Sequence, residues 1–131
     1  MSLHKAISST EAPPAVGPYS QGIVTGSFIF LAGQIPLVGS TGQLVAGGIA
    51  EQTEQVISNI KALLATEGLT LDHVVKSTVF LVDMDDFNAM NTVYARHFTG
   101  TPPARSTVQV ARLPKDSRVE IEVIAQAKTG Y

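Results

Sequence analysis

A chain of 131 residues can bury one ordinary hydrophobic core, and the absence of cysteine removes disulfides, thiolate zinc sites and thiol nucleophiles together. Nine basic residues stand against eleven acidic ones, and a net charge of -2 does not draw in a polyanion, so no nucleic-acid partner is expected. His4, His73 and His97 lie too far apart for a paired metal motif, and neither metal nor cofactor is expected.

The opening residues lack the apolar stretch of a targeting segment, and no run approaches bilayer length. The expectation is one soluble, cytoplasmic domain over residues 1–131 without membrane contact. A short strand over 3–7 leads into 8–18, where Pro13-Pro14 and Gly17-Pro18 forbid a regular helix and predict an ordered loop. Residues 22–25 and 27–33, rich in Ile, Val and Phe around Gly26, predict a hairpin. Gly47-Gly48 precedes a stretch in which Ile49, Val56, Ile57, Ile60, Leu63 and Leu64 keep helical spacing, with Glu51 and Glu54 suited to its start and Gly68 to its end. Residues 74–82 predict a largely buried strand. Asp83 then caps a second helix with Phe87, Met90, Tyr94 and Phe98 along one stripe, and Gly100 with Pro102-Pro103 stops it. Strands near 105–111 and 118–127 complete the order βββαβαββ. This is an α+β class with a mixed sheet, and right-handed crossovers put both helices on one face.

The other face is then open. Alternation sends Val119, Ile121, Val123 and Ala125 to the core and Glu120, Glu122, Ile124 and Gln126 to the opposite side. In the preceding strand Arg105, Thr107 and Gln109 share one face. Paired as a simple hairpin with Ala111 opposite Arg118, the two strands set Thr107 against Glu122 and bring Arg105 to the same open face as the glutamates. An exposed sheet face carrying apolar residues beside an arginine and two acids predicts a homo-oligomer interface.

Arg105 follows Pro102-Pro103-Ala104, so a stiffened backbone presents a planar fork able to take a carboxylate through two parallel hydrogen bonds. From residue type alone, a structural salt bridge is the commoner role. Glu120 or Glu122 at a dry interface would have a raised pKa suited to proton transfer, with an ion pair as the plain alternative; spacing does not choose between them. Tyr19 either walls a pocket or packs in the core, and Asn91 either orients a ligand or binds a loop carbonyl. Residues 42–48 (GQLVAGG) lack the Lys-Ser/Thr of a phosphate loop, and neither Ser20 nor Ser106 has a histidine placed to activate it. His97 near a helix end suits the dipole.

Gly17-Pro18-Tyr19-Ser20-Gln21, Ala32-Gly33-Gln34-Ile35-Pro36, Pro103-Ala104-Arg105-Ser106, Val110-Ala111-Arg112-Leu113-Pro114 and Val119-Glu120-Ile121, in this order and spacing, resemble the RidA/YjgF family of reactive-intermediate deaminases across essentially the whole chain. The resemblance implies a chorismate-mutase-like fold, a homotrimer with ligand sites between subunits, and hydrolysis of short-lived 2-imino and enamino acids, such as 2-iminobutyrate and 2-iminopropanoate, to 2-oxo acids and ammonia. Such metabolite damage control needs no metal. It further implies that Arg105 binds the substrate carboxylate and that Glu120 activates water, while Tyr19, Gly33, Asn91 and Thr107 line the site. Thr107 stands where many relatives carry cysteine, Ala32 where some carry serine, and the 98–103 loop is short. Two other roles remain compatible with the resemblance: a regulatory trimer that binds small carboxylates without turnover, and an RNA-cleaving or translation-inhibiting protein.

Overall fold

The computed structural model describes residues 3–127. Lys5–Ile7 (β1), Gly22–Thr25 (β2) and Phe28–Leu31 (β3) form an antiparallel meander. Helix α1 (Ile49–Ala65) begins at Gly48, whose N–H donates to the Glu51 carboxylate at 2.7 Å. It ends where Gly68 turns the chain at φ 72° and Leu69 N–H reaches back to the Leu64 carbonyl at 3.0 Å. Val74–Leu81 (β4) follows. Asp83 then caps a short 3-10 turn, Met84–Asp86, through the Asp85 N–H at 2.9 Å, so its cap precedes helix α2 (Phe87–His97) by one turn. Ala104–Gln109 (β5) and Val119–Gln126 (β6) close the chain. The element order agrees with the expected βββαβαββ.

The six strands lie in the order β1-β2-β3-β6-β4-β5, with β4 and β5 parallel and every other neighbouring pair antiparallel. Both helices cover one face. From α1, Val56, Ile57, Ile60, Leu63 and Leu64 are completely buried, and they meet Val79, Leu81, Val119, Ile121 and Val123 of the central strands. Buried polar groups in this layer are satisfied and tie loops to it. Asn59 donates to the carbonyls of Ile35 and Leu37, and Gln52 accepts from the Arg118 backbone. Arg118 also grips Asp86 through two nitrogens, at 2.7 and 3.2 Å, joining the entry of β6 to the start of α2. No helix among the described residues is long and apolar enough to cross a membrane.

One expectation is corrected: β5 and β6 do not form a hairpin, because β4 lies between them. The chain leaves β4, crosses the sheet as α2 and must return parallel to its starting strand, which seats β5 beside β4. The remaining free edge of β4 takes β6. Residues 110–118 carry the chain from one side of β4 to the other through the 3-10 turn Pro114–Asp116, with Lys115 and Asp116 both at positive φ, 60° and 54°. Two successive non-glycine residues in that region cost on the order of 1–2 kcal/mol each.

Ile121, fully buried on β6 between β3 and β4, tests the core. Ile121→Ala is expected to lower unfolding stability by about 2–5 kcal/mol, read as a reduced urea midpoint with an unchanged slope.

Candidate active site

Two clusters arise on opposite faces of the sheet. The first is built on β5, an edge strand. Arg105 pairs in register with Ser77 and Thr107 with Val79, residues of β4 that face the helices. Arg105 therefore lies under α2 and not on the open face, which overturns the placement that the hairpin pairing predicted. Its guanidinium carbon stands 4.7 Å from the centre of the Tyr94 ring and 5.6 Å from that of Phe87. Phe87, Asn91 and Tyr94, separated by four and three residues, share one stripe of α2, so half-buried Asn91 belongs to the same side of the helix. Beside them the Thr107 hydroxyl is buried and has no hydrogen-bond partner among the described residues.

The salt-bridge role is not what the structure displays. Arg96, Arg112 and Arg118 pair with Glu54, Asp116 and Asp86 at 3.4, 3.0 and 2.7 Å. No such pair involves Arg105 among the described residues. Its charge is met by ring faces, which leaves the N–H fork available to a ligand.

The second cluster is on the open face of β6. Glu120 pairs with Phe80, three residues along β4 from the Ser77 that neighbours Arg105. An odd separation on a strand means opposite faces. Pairing between β3 and β6 runs Phe28↔Gln126, Ile29↔Ala125 and Phe30↔Ile124, then resumes at Gln34↔Ile121, one residue out of step. That extra residue is a bulge. It brings the Gly33 backbone against Glu120: a Cβ at position 33 would collide with the carboxylate and lie 2.9 Å from its Cδ. Partial burial raises the Glu120 pKa above its ordinary value, and the neighbouring negative charge of Glu122 adds to the rise. Glu122 itself is exposed, so burial separates two acids that spacing could not.

Tyr19 belongs to neither cluster. It sits in the loop before β2, 53% exposed, and its hydroxyl accepts from the Val16 N–H at 3.2 Å. There it borders an open cleft of ≈ 850 Å³ with Ser9, Pro14 and Gln21. Within one chain, Arg105, Asn91 and Thr107 come together, Gly33 meets Glu120, and the two groups and Tyr19 remain apart. The outlying histidines have local partners: His97 contacts Glu54 at 2.8 Å, and His73 accepts from the Thr70 N–H at 3.1 Å. The rings around Arg105 were read in the sequence only as an apolar stripe. The signal for more was Asn91 interrupting that stripe on a helix followed by a proline-stiffened arginine.

Residues 9–127 match a family model described as Endoribonuclease L-PSP. Among curated relatives, Protein DfrA of Myxococcus xanthus is 53% identical over 92% of this chain and 94% of its own length. The 2-iminobutanoate/2-iminopropanoate deaminase of Mus musculus is 47% identical over 94% and 91%. Among solved structures, E. coli TdcF with bound serine is 43% identical with a TM-score of 0.91, covering 95% of this chain and 99% of that one. The YjgF gene product of E. coli is 45% identical with a TM-score of 0.90 and the same coverage.

The state of Glu120 has a measurable consequence. A carboxyl whose folded pKa is raised contributes stability that is complete below its ordinary value of 4.5 and is lost as pH rises through the folded value. Glu120→Gln should therefore melt above the wild type at pH 7, with the difference closing toward pH 4; a difference that widens on acidification would contradict the burial. Gly33→Ala should lower the melting temperature, and pairing it with Glu120→Ala should recover part of the loss by removing the colliding carboxylate.

Proposed function

The chain belongs to the RidA/YjgF family, and we propose that it hydrolyses reactive 2-imino and enamino acids to 2-oxo acids and ammonia. The observation that carries this reading is Arg105, an arginine held by aromatic faces beside an unpartnered buried hydroxyl, with no acid spending its donors among the described residues. Such a group is suited to a small carboxylate, and the deaminase name of the mouse relative points the same way.

In this reading Arg105 takes the substrate carboxylate in a two-pronged hydrogen bond, with Asn91 and Thr107 on the same wall. Glu120, with its raised proton affinity, receives a proton as water adds to the imine carbon. The carbinolamine nitrogen takes a proton back and ammonia leaves as the C=O bond forms, so one water enters and one ammonia departs. Orientation and charge placement supply the rate, and no covalent intermediate is needed. Arg105 and Glu120 belong to opposite faces, separated by roughly 10 Å across the sheet and roughly 10 Å along the strands. Two copies are therefore required to bring them together. The proposed assembly is a homotrimer in which Arg105 of one copy meets Glu120, Gly33 and Tyr19 of the next. The serine in the TdcF structure favours a second reading, a small-carboxylate-binding trimer without turnover.

An assay that generates 2-iminobutyrate in situ and traps it with semicarbazide separates the two. Wild type should suppress trapping, and Arg105→Ala should lose on the order of a hundredfold or more in kcat/KM, the worth of two hydrogen bonds to a charged group. A wild type that leaves trapping unchanged would leave only the binding reading, and equal suppression by the two proteins would reject Arg105 as the carboxylate clamp. The composite site has its own test. Arg105→Ala and Glu120→Gln chains, each inactive, should regain activity when refolded together, since about a quarter of the sites in a randomly mixed ring hold both intact groups. A mixture no better than its components would reject a site shared between copies.

A further inference from the structure

Arginine in a protein interior is normally held by an acid, which fixes its position and also occupies the donors that a substrate would need. Arg105 is held differently. The Tyr94 ring that faces it is stacked on Phe98, with centroids 4.2 Å apart and planes at 22°. At its other end the Tyr94 hydroxyl bonds Ser77 Oγ at 2.7 Å, and Ser77 is completely buried. Ser77 is also the strand neighbour of Arg105 in the parallel β4/β5 pairing. Backbone, phenol and guanidinium thus close a loop: β4 sets the height of Arg105, and the same β4 residue sets the end point of the ring against which its side chain rests. Phe87, half-buried at the start of α2, supplies a second ring 5.6 Å away.

We propose that Tyr94 and Phe87 are positioning residues for Arg105: their ring faces, with Tyr94 pinned by Ser77, hold the guanidinium in place of an acid and leave its N–H edge to the substrate carboxylate. A ring engages the face of the guanidinium plane, whereas a carboxylate engages its edge, so only the ring supports the group without competing for its donors. Burial raises the Tyr94 pKa, which keeps the phenol neutral and its bond to Ser77 intact through the physiological range. The inference rests on the reading of Arg105 as a carboxylate clamp.

The test measures binding of 2-oxobutyrate by titration calorimetry together with the Nε–Hε resonance of Arg105 in the full-length protein. In the wild type that resonance should show a ring-current shift, and it should be lost in Tyr94→Leu. The same variant should bind 2-oxobutyrate about tenfold more weakly, the worth of a desolvated cation–ring contact. Its KM should rise by a similar factor while kcat changes little, a split that a general loss of structure would not produce. Tyr94→Phe, which keeps the ring, should retain most of the affinity, with Ser77→Ala intermediate. Phe87→Leu, at its half-buried position, should weaken binding about threefold and serves if Tyr94→Leu does not fold. An unshifted resonance in the wild type overturns the inference. So does a folded Tyr94→Leu or Phe87→Leu that binds within error of the wild type while Arg105→Ala has lost binding. If Arg105→Ala binds as well as the wild type, the clamp itself is overturned, and the inference with it.

Discussion

The return of the chain from β4 through α2 to a parallel β5 governs the arrangement of this molecule. A helical crossover can deliver its second strand only alongside the first and on the side that lets the helix lie against the sheet. Once β5 occupies one edge of β4, β6 must take the other. The consequence for side chains is parity. Residues of β5 and β6 that would have faced one another in a hairpin are instead indexed through β4, and Arg105 and Glu120 fall on its two faces. The same crossover lowers α2 over the start of β5, so Arg105 gains its aromatic surroundings from the helix that covers the face opposite Glu120.

Each face handles charge by a different means. On the covered face, desolvation demands that a guanidinium be compensated, and rings do so without consuming its hydrogen bonds. On the open face, a one-residue bulge draws backbone against Glu120 and partly excludes water from it, which raises its pKa while Glu122 two residues away remains exposed. Position 33 must be glycine for this approach, since any side chain would occupy the space of the carboxylate. The strained turn at Lys115 and Asp116 lies shortly before Glu120 in sequence, in the connection that takes the chain from one side of β4 to the other.

Much of this was legible in the residues. Helical spacing of apolar residues located both helices, alternation marked the last two strands, and runs rich in Ile, Val and Phe between turn residues marked the others. Arg105 drew notice because two prolines stiffen its approach. What the residues did not convey was pairing. Alternation says which positions of a strand share a face, but not which face of one strand aligns with which of the next, and the hairpin assumed between β5 and β6 chose wrongly. The length of the connection, residues 110–118, was the available sign that the strands were not adjacent. The bulge left no mark beyond the glycine, and the choice of Glu120 over Glu122 came first from the motif and only then found a physical counterpart in burial. The rings around Arg105 were hidden in plain view, since a stripe of Phe, Met and Tyr on a helix reads as core whether or not a cation lies beneath it.

Parity across β4 also bears on how competence arises. In the proposed ring an isolated copy carries an arginine and a carboxyl that have no route to one another, so a newly made chain is inert until it finds its neighbours. Activity per molecule would then depend on abundance, falling away under dilution with no change in any single fold. Each copy would contribute its arginine to one cleft and its glutamate to the next, so a copy that has lost one of the two groups would silence one cleft and a copy that has lost both would silence two. Loss of a single group would be felt in proportion to the fraction of chains affected, and loss of both groups more than in proportion to it.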